Sequence, residues 1–316
     1  MNILVCGAGG FIGWHLTKKL KEQGHFVIGA DIKYPQFAES YADYFYKVDL
    51  RDIKSIQEIF TKNEIDEVYQ LAADMGGTGY IGIGDHDSDI MHNSALINLN
   101  IISEAVKYKI NKILYTSSAC VYPERNQMDP NDPNCEEHTA YPAEPDTEYG
   151  WEKLFSERLY LTHRKNYGID AKVVRLHNVF GPYGSWNDGR EKAPAALCRK
   201  IAETDNEIEV WGDGKQTRSF LYIDECIEGL LRIMQSNITQ PVNLGSEYLI
   251  SINDLALLIA DIADKKLTIR NIDGPRGVIG RTSHNKLIKE LLGWTPNEDL
   301  RYGLEQTYPW IKGLVK

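Results

Sequence analysis

A tyrosine and a lysine four positions apart are the first pair in this sequence that could transfer a proton. Tyr149 and Lys153 lie in the string Tyr-Gly-Trp-Glu-Lys, within a helix predicted over 146–167. This spacing places both side chains on one face of the helix. Because an ammonium group stabilises a nearby phenolate, we expect Lys153 to lower the pKa of Tyr149 and make it a general base. The alternative is a surface tyrosine beside a solvated lysine.

A serine and a cysteine stand at the end of a strand predicted over 112–117. The hydroxyl group of Ser118 could polarise a substrate oxygen. Cys120, two residues later, carries a thiol that could take part in the chemistry. The alternative for Cys120 is a small buried side chain, which is the usual state of a free cysteine. Its position beside the hydroxyl residue favours the catalytic role.

A glycine-rich turn follows the first predicted strand and opens the first predicted helix. Its sequence is Gly7-Ala-Gly-Gly10-Phe11-Ile12-Gly13. Gly7 allows a tight turn, Gly10 lets the backbone approach a pyrophosphate, and Gly13 lets the helix pack closely on the strand. The N-terminus of the helix then faces the phosphates. This context predicts a dinucleotide site, and the alternative is a plain tight turn.

An acidic residue at the end of the second predicted strand selects the cofactor. Asp31 can accept hydrogen bonds from the ribose hydroxyl groups of NAD, and it would repel the 2′-phosphate of NADP. We therefore expect NAD as the cofactor. Asp49 follows the third predicted strand, where it could serve the cofactor, cap a helix or remain a solvated loop acid.

Predicted strands and helices alternate from residue 2 to residue 176. Because parallel strands need a helix-length crossover, this order predicts an α/β fold with a Rossmann-type, doubly wound parallel sheet. Beyond residue 177 the segments are shorter and predict a smaller C-terminal α/β lobe that binds the substrate. We expect domains over 1–177 and 178–316, with a blurred boundary that the chain can cross back over.

The composition excludes several classes of protein. The 316 residues are 42% hydrophobic and carry a net charge of −10 without a long run of one sign, which argues against binding nucleic acid. No apolar stretch approaches the roughly 20 residues of a membrane helix. Five scattered cysteines without a zinc-type pair predict free thiols and no metal. We expect a cytoplasmic protein without a signal peptide.

The glycine turn and the set Ser118, Tyr149 and Lys153 together resemble the extended short-chain dehydrogenase/reductase superfamily. This resemblance implies hydride transfer to NAD at the serine, tyrosine and lysine. It also implies that Asp49, Leu50 and Ala72 contact the cofactor.

The residues after Ser118 separate branches of this superfamily. Sugar-nucleotide 4,6-dehydratases carry an Asp-Glu pair as acid and base there, whereas this chain has Ala119 and Cys120. Simple 4-epimerases need no proton transfer at a ring carbon and often carry Thr in place of Cys120. A cysteine at this position resembles two families, the GDP-4-keto-6-deoxymannose epimerase/reductases and the GDP-mannose 3,5-epimerases.

Further strings across essentially the whole chain resemble the GDP-mannose 3,5-epimerase family. The reductases use a histidine where this chain has Lys192, and they use NADPH, which Asp31 disfavours. The segment 78–89 differs from plant members, which leaves the ratio of products open. The strings are Ala72–Gly77, Tyr141–Pro145, Arg175–Gly184, Gly189–Lys200, Trp211–Phe220, Gly274-Pro275-x-Gly277-x3-Arg281 and Leu292-Gly-Trp-x-Pro296.

This resemblance implies a homodimeric isomerase that inverts C3 and C5 of GDP-mannose, or a related GDP-hexose, through a 4-ketone. The products would be GDP-L-galactose, GDP-L-gulose or both. Cys120 and Lys192 would move protons on opposite faces of the ring, and Arg218 and Arg281 would hold the diphosphate. The alternatives are the epimerase/reductase and a non-enzymatic NAD(H) sensor. The implied substrate contacts are Gly76, Ser118, Ala119, Cys120, Asn178, Glu191, Lys192, Ala193, Lys200, Gln216, Arg218 and Arg281.

Overall fold

A computed structural model describes residues 1–274 and 277–315 of the chain. Pro275, which belongs to one of the strings above, lies outside the described residues. The strands are β1 Asn2–Cys6, β2 Phe26–Asp31, β3 Tyr44–Lys47, β4 Glu67–Gln70, β5 Lys112–Ser118, β6 Asp170–Leu176, β7 Val179–Phe180, β8 Glu207–Trp211, β9 Thr217–Arg218, β10 Leu221–Tyr222, β11 Val242–Leu244, β12 Ile250–Ser251, β13 Thr268–Ile272 and β14 Gly280–Arg281.

Helices connect these strands and cover the sheet. They are α1 Phe11–Glu22, α2 Ile53–Lys62, α3 Thr78–Ile81, α4 Asp87–Lys107, α5 Glu148–Tyr167, α6 Ala193–Glu203, α7 Ile223–Gln235, α8 Ile252–Ile262, α9 Lys286–Leu292 and α10 Leu300–Leu314.

The main sheet has seven parallel strands in the order β11-β6-β5-β4-β1-β2-β3. Side chains of β1 alternate between two cores because successive residues of a strand point to opposite faces. Ile3 and Val5 belong to one buried cluster, and Leu4 and Cys6 belong to the other. The predicted doubly wound α/β sheet is therefore confirmed.

The C-terminal half contributes to this sheet and also builds small sheets of its own. Strand β11 pairs with β6, so residues 242–244 return to the first layer. Strands β12, β9 and β14 form one small sheet, and β13 pairs with β8 in another. The division of function between 1–177 and 178–316 stays a prediction.

Local boundaries differ from the predicted ones for identifiable reasons. Helix α5 begins at Glu148 rather than at residue 146, because the Thr147 side chain accepts a hydrogen bond from the backbone N–H of Gly150 at 3.2 Å and caps the helix there. Helix α4 begins at Asp87 and ends at Lys107, near the predicted 90–108. The predicted long loop over 123–145 contains two short 3₁₀ turns, Glu124–Gln127 and Glu137–Ala140.

Two kinds of feature are absent from residues 1–274 and 277–315. Within these ranges, no helix is long and apolar enough to cross a membrane, and no group of three or more His, Cys, Asp or Glu side chains is placed to hold a metal ion. The cysteines are free and buried: Cys6, Cys120, Cys135, Cys198 and Cys226.

Candidate active site

The glycine turn joins β1 to α1 at the carboxyl edge of the sheet. Gly7 has a φ of +86°, a conformation that side chains rarely adopt. A Cβ atom at Gly13 would lie 2.0 Å from the carbonyl oxygen of Gly7. Both positions therefore need glycine, and the turn leaves the N-terminus of α1 open to a phosphate-bearing ligand.

A cavity of about 570 Å³ extends from this turn along the ends of the parallel strands. Lys192 and Thr116 also line it. Its shape and lining fit a dinucleotide, because the glycine cradle and an acidic residue after β2 are both present. The predicted cofactor contacts that line the cavity are Gly7, Gly10, Phe11, Ile12, Gly13, Asp31, Asp49, Leu50 and Ala72.

Two carboxylates of the cavity are held by local hydrogen bonds. Asp31 accepts bonds from the backbone N–H groups of Gly9 at 3.0 Å and Lys33 at 3.1 Å, while burial raises the pKa of its carboxyl group. Asp49 is paired with Arg51 at 2.6 Å, and the hydrogen bond from Arg51 lowers the pKa of Asp49. Each carboxylate is therefore fixed in place before a ligand binds.

The candidate catalytic residues converge at the end of β5 and the start of α5. Ser118 ends β5, and its side chain accepts a hydrogen bond from the backbone N–H of Cys120 at 3.2 Å, which starts a 3₁₀ turn. Helix α5 packs against this turn. A Cβ atom at Gly150 would lie 2.1 Å from the carbonyl oxygen of Cys120, so only glycine allows this approach. Tyr149, the neighbour of Gly150, is thereby brought to the serine.

The tyrosine and the lysine share one helix face, as the sequence spacing predicts. The Ser118 side chain interacts with the Tyr149 hydroxyl group and acts to lower its pKa. The Lys153 ammonium donates a hydrogen bond to the carbonyl oxygen of Thr116 at 2.9 Å and lies 5.6 Å from the centre of the Tyr149 ring.

The expected lowering of the Tyr149 pKa is wrong for this structure. Burial raises the pKa of Tyr149, and the charges of Cys120 and Glu152 add to that effect. Burial also lowers the pKa of Lys153. Both shifts have one cause, since a site closed to water disfavours the charged form of each group.

A thiol and an amine meet at the same site. Arg281 is buried and places its Nη1 atom 3.2 Å from the sulfur of Cys120. Lys192 immediately precedes α6 and lines the cavity. Burial lowers the pKa of Lys192, and Arg281 acts in the same direction while Cys120 opposes it. The charges of Cys120 and Arg281 both act on the Lys192 amine, so the three groups belong to one site.

Two predicted substrate residues, Gly76 and Glu191, lie where the Lys192 loop meets the loop after β4. A Cβ atom at the adjacent Gly77 would lie 2.3 Å from the carbonyl oxygen of Glu191. The Glu191 side chain accepts bonds from the backbone N–H of Gly189 at 2.7 Å and from Arg199 at 3.4 Å.

The remaining predicted contacts lie in the C-terminal half. Asn178 has a φ of +38° and donates a hydrogen bond to the carbonyl oxygen of Ser219 at 3.0 Å. Lys200 and Gln216 donate to backbone carbonyl oxygens at 2.7 and 3.1 Å. Ala193 is the first residue of α6, and Ala119 is buried beside Cys120.

Arg218 and Arg281 are neighbours in strands β9 and β14, which pair with each other. Burial and the charge of Arg281 both lower the pKa of Arg218. Two guanidinium groups held this close repel each other, and Asp146 lies 3.4 Å from one of them. The two strands therefore bring two guanidinium groups to one place, where Asp146 partly balances their charge.

Sequence reasoning missed a network of three side chains beside the cavity. Asp74 accepts hydrogen bonds from Tyr80 at 2.9 Å and from Arg190 at 3.1 Å. The Arg190 guanidinium also lies 3.8 Å from the centre of the Tyr80 ring. Asp74 and Arg190 stand inside strings that identified the family resemblance, but nothing in the sequence pairs residues 116 positions apart.

A match to a family model settles the relationship of this chain to known proteins. The model of the NAD dependent epimerase/dehydratase family matches residues 3–245. The chain belongs to this family. The expectation of an enzyme that uses NAD is therefore confirmed.

Individual relatives narrow this assignment. GDP-mannose 3,5-epimerase of Arabidopsis thaliana is 45% identical over an alignment of 318 positions that covers 100% of this chain and 83% of the relative. GDP-L-fucose synthase of Escherichia coli is 25% identical over 98% of this chain and 96% of the relative. The resemblance to the 3,5-epimerases is thus confirmed, the isomerase class with it, and the epimerase/reductase alternative is not favoured.

The fold also matches a solved structure. UDP-glucose 4-epimerase of Thermotoga maritima, crystallised with UDP-glucose, superposes with a TM-score of 0.88 and 25% identity, covering 99% of each chain. The Rossmann-type sheet and the C-terminal lobe are therefore those of a nucleotide-sugar epimerase.

Proposed function

We propose that this protein inverts C3 and C5 of GDP-mannose through a 4-keto intermediate, giving GDP-L-galactose, GDP-L-gulose or both. One observation carries the proposal. The thiol of Cys120 lies two residues after Ser118, within 3.2 Å of a buried guanidinium group and within electrostatic reach of Lys192. An enzyme that only oxidises and reduces C4 has no use for this second acid–base pair.

The first step is oxidation of the sugar at C4. NAD, when bound along the glycine turn and Asp31, supplies a reversible hydride acceptor for that carbon. Tyr149 takes the proton of the C4 hydroxyl group, and Ser118 holds the same oxygen by a hydrogen bond. Lys153 supplies positive charge on the helix face of Tyr149, which opposes the effect of burial when the phenolate forms.

The second step uses the ketone. A carbonyl group at C4 makes the hydrogens on C3 and C5 acidic. Cys120 and Lys192 remove and return these protons from opposite faces of the ring. The depressed pKa of Lys192 keeps more of the amine neutral, and therefore able to accept a proton, than an exposed lysine would have. Reduction at C4 then completes the inversion.

We assign the GDP group to the C-terminal half of the chain. Arg218 and Arg281 hold the diphosphate, since a guanidinium fork matches phosphate oxygens bidentately. Their positions opposite each other on paired strands support this role, because two guanidinium groups can then share one anion. Asn178, Lys200 and Gln216 flank the nucleotide, and Gly76, Glu191 and Ala193 border the sugar.

The protein acts as a cytoplasmic homodimer. Buried free cysteines agree with a reducing compartment. Helices α4 and α5 pack side by side and expose large apolar side chains. These are Leu99 on α4, with Trp151 and Phe155 one turn apart on α5. A second copy of the chain would cover them.

Incubation with GDP-mannose in heavy water tests the proposal. We expect deuterium at C3 and C5 of the recovered sugar without net formation of NADH. An epimerase/reductase would consume reduced cofactor in proportion to its product. A protein that only senses NAD(H) would incorporate no deuterium, and that result would overturn the proposed activity.

A further inference from the structure

Three side chains outside the proton-transfer set tie the Lys192 loop to the loop after β4. Arg190 donates hydrogen bonds to the Asp74 carboxylate at 3.1 Å, to the carbonyl oxygen of Met75 at 3.1 Å and to the Tyr80 hydroxyl group at 2.7 Å. The Tyr80 hydroxyl group in turn donates to Asp74 at 2.9 Å. The backbone adds a further bond, from the N–H of Gly77 to the carbonyl oxygen of Arg190 at 2.9 Å.

This cluster is anchored on the main domain. Asn93 of α4 donates a hydrogen bond to the second oxygen of Asp74 at 2.9 Å, and Ser94 accepts one from the Asp74 backbone N–H at 3.0 Å. Asp74 is therefore bonded on both carboxylate oxygens and at its backbone, which fixes its orientation. This carboxylate, the carbonyl oxygen of Met75 and the Tyr80 hydroxyl group together hold the Arg190 guanidinium group.

The cluster also contacts the residues around Cys120 and Tyr149 through helix α3. Tyr80 and Ile81, in helix α3, pack against the small buried cluster of Ile90, Cys120 and Tyr149. Cys120 is 7% exposed and Tyr149 is 5% exposed, so little of either residue is open to solvent. Helix α3 therefore covers the thiol and the tyrosine, and Tyr80 joins that helix to Arg190.

We propose that Asp74, Tyr80 and Arg190 form a latch that positions Lys192 over the sugar when α3 covers the site. Lys192 is two residues from Arg190, so the latch determines where the amine stands. Closing α3 and placing the amine are then one movement. Asp74, Tyr80 and Arg190 are positioning residues in this scheme, and the inference rests on the proposed proton transfer at C3 and C5.

Arg190→Ala tests the latch, with Arg301→Ala as its matched control. Arg301 is 41% exposed against 42% for Arg190, and it also pairs with carboxylates, Asp261 and Glu305, but it lies on α10 outside the latch. Deuterium incorporation at C3 and C5 and transient NADH absorbance are measured for each variant. Arg190→Ala should slow incorporation roughly 10–100-fold, as expected for a misplaced group, and leave hydride transfer near wild type.

Two additional measurements separate positioning from general damage. Millimolar guanidinium ion should restore part of the lost incorporation in Arg190→Ala but not in Lys192→Ala, since it can occupy only the vacated site on Asp74. Backbone hydrogen exchange over residues 74–82 and 188–196, measured by mass spectrometry on the free protein, should rise in Arg190→Ala and stay unchanged in Arg301→Ala.

The outcomes separate the latch from the proposed function. If Arg190→Ala incorporates deuterium at the wild-type rate, the latch is wrong. The latch is also wrong if this variant loses hydride transfer and deuterium incorporation to the same extent. Absence of incorporation in the wild type would overturn the proposed function instead. Hydrogen exchange would still decide whether Arg190 holds the loop, because that measurement requires no turnover.

Discussion

Arg281 lies with its Nη1 atom 3.2 Å from the sulfur of Cys120, although the two residues are 161 positions apart in the chain. Sequence resemblance assigns Arg281 to the diphosphate of the substrate. The observed contact gives the same guanidinium group a second partner. The hydrogen bond from this guanidinium group fixes the position of the Cys120 sulfur in the site.

Arg281→Gln should therefore make Cys120 less reactive. We expect alkylation by iodoacetamide at neutral pH to slow roughly tenfold or more, because the sulfur loses a hydrogen bond from a charged group, which is worth about 1.5–3 kcal/mol. Labelling is followed by mass spectrometry of the peptide that contains Cys120. Arg281→Lys, which keeps the charge, should retain most of the reactivity. Equal rates in all three proteins would show that Arg281 does not control the reactivity of Cys120.

Tyr149→Phe should stop turnover without preventing substrate binding. Only the proton acceptor is removed, and positioned acid–base groups contribute roughly 10²–10⁴-fold. Turnover and calorimetric binding of GDP-mannose are compared with those of Tyr160→Phe. Tyr160 is a buried tyrosine of the same helix whose hydroxyl group bonds to Asn98 at 3.2 Å. Wild-type turnover in Tyr149→Phe would exclude Tyr149 as the base.

Asp31→Asn should reduce the preference for NAD over NADP. The carboxylate meets the 2′-phosphate of NADP with a like charge, and removing it should narrow the affinity ratio by roughly tenfold or more. Both affinities are measured by calorimetry. Asp43→Asn is the control, because Asp43 pairs with Lys21 at 2.6 Å and does not line the cavity. Equal affinity of the wild-type protein for both cofactors would contradict the role given to Asp31.

The parts of the site that the sequence predicts correctly depend on local spacing. The glycine turn works through neighbouring residues, and Tyr149 and Lys153 share a helix face whatever surrounds them. The latch joins residues 74, 80 and 190, and its geometry follows from how two loops dock. No pattern of types at fixed spacing reports such a contact, so sequence reasoning could quote Asp74 and Arg190 in motifs without giving them a role.

The direction of the Tyr149 pKa shift could not be predicted from the sequence, and the reason is different. Spacing shows that an ammonium group is near, which lowers the pKa of a phenol. Spacing does not show how completely Ile90, Tyr80 and their neighbours exclude water. This exclusion raises the pKa of Tyr149. The direction of the pKa shift depends on the balance of the two effects, and burial is the larger one here.

Cys120 and Lys192 are the two groups assigned to proton transfer at opposite faces of the ring. Inversion requires a proton to leave one face of a carbon and another to arrive on the opposite face. Cys120 follows the strand that delivers Ser118, so it should serve the hydroxyl side. Lys192 comes from a separate loop and should serve the other side. Cys120→Ala and Lys192→Ala should each prevent inversion at C3 and C5 while hydride transfer at C4 continues.

Lys192 should also leave a signature in the pH dependence of deuterium incorporation. Acting as a base, it must be neutral, so incorporation should rise with pH through the pKa of Lys192. Burial lowers that pKa, so incorporation should rise at a pH below the range in which an ordinary lysine loses its proton. The profile of Lys192→Ala should lack this rise. If Cys120→Ala inverts both carbons at the wild-type rate, the thiol only packs against α5 and the proposed mechanism is wrong.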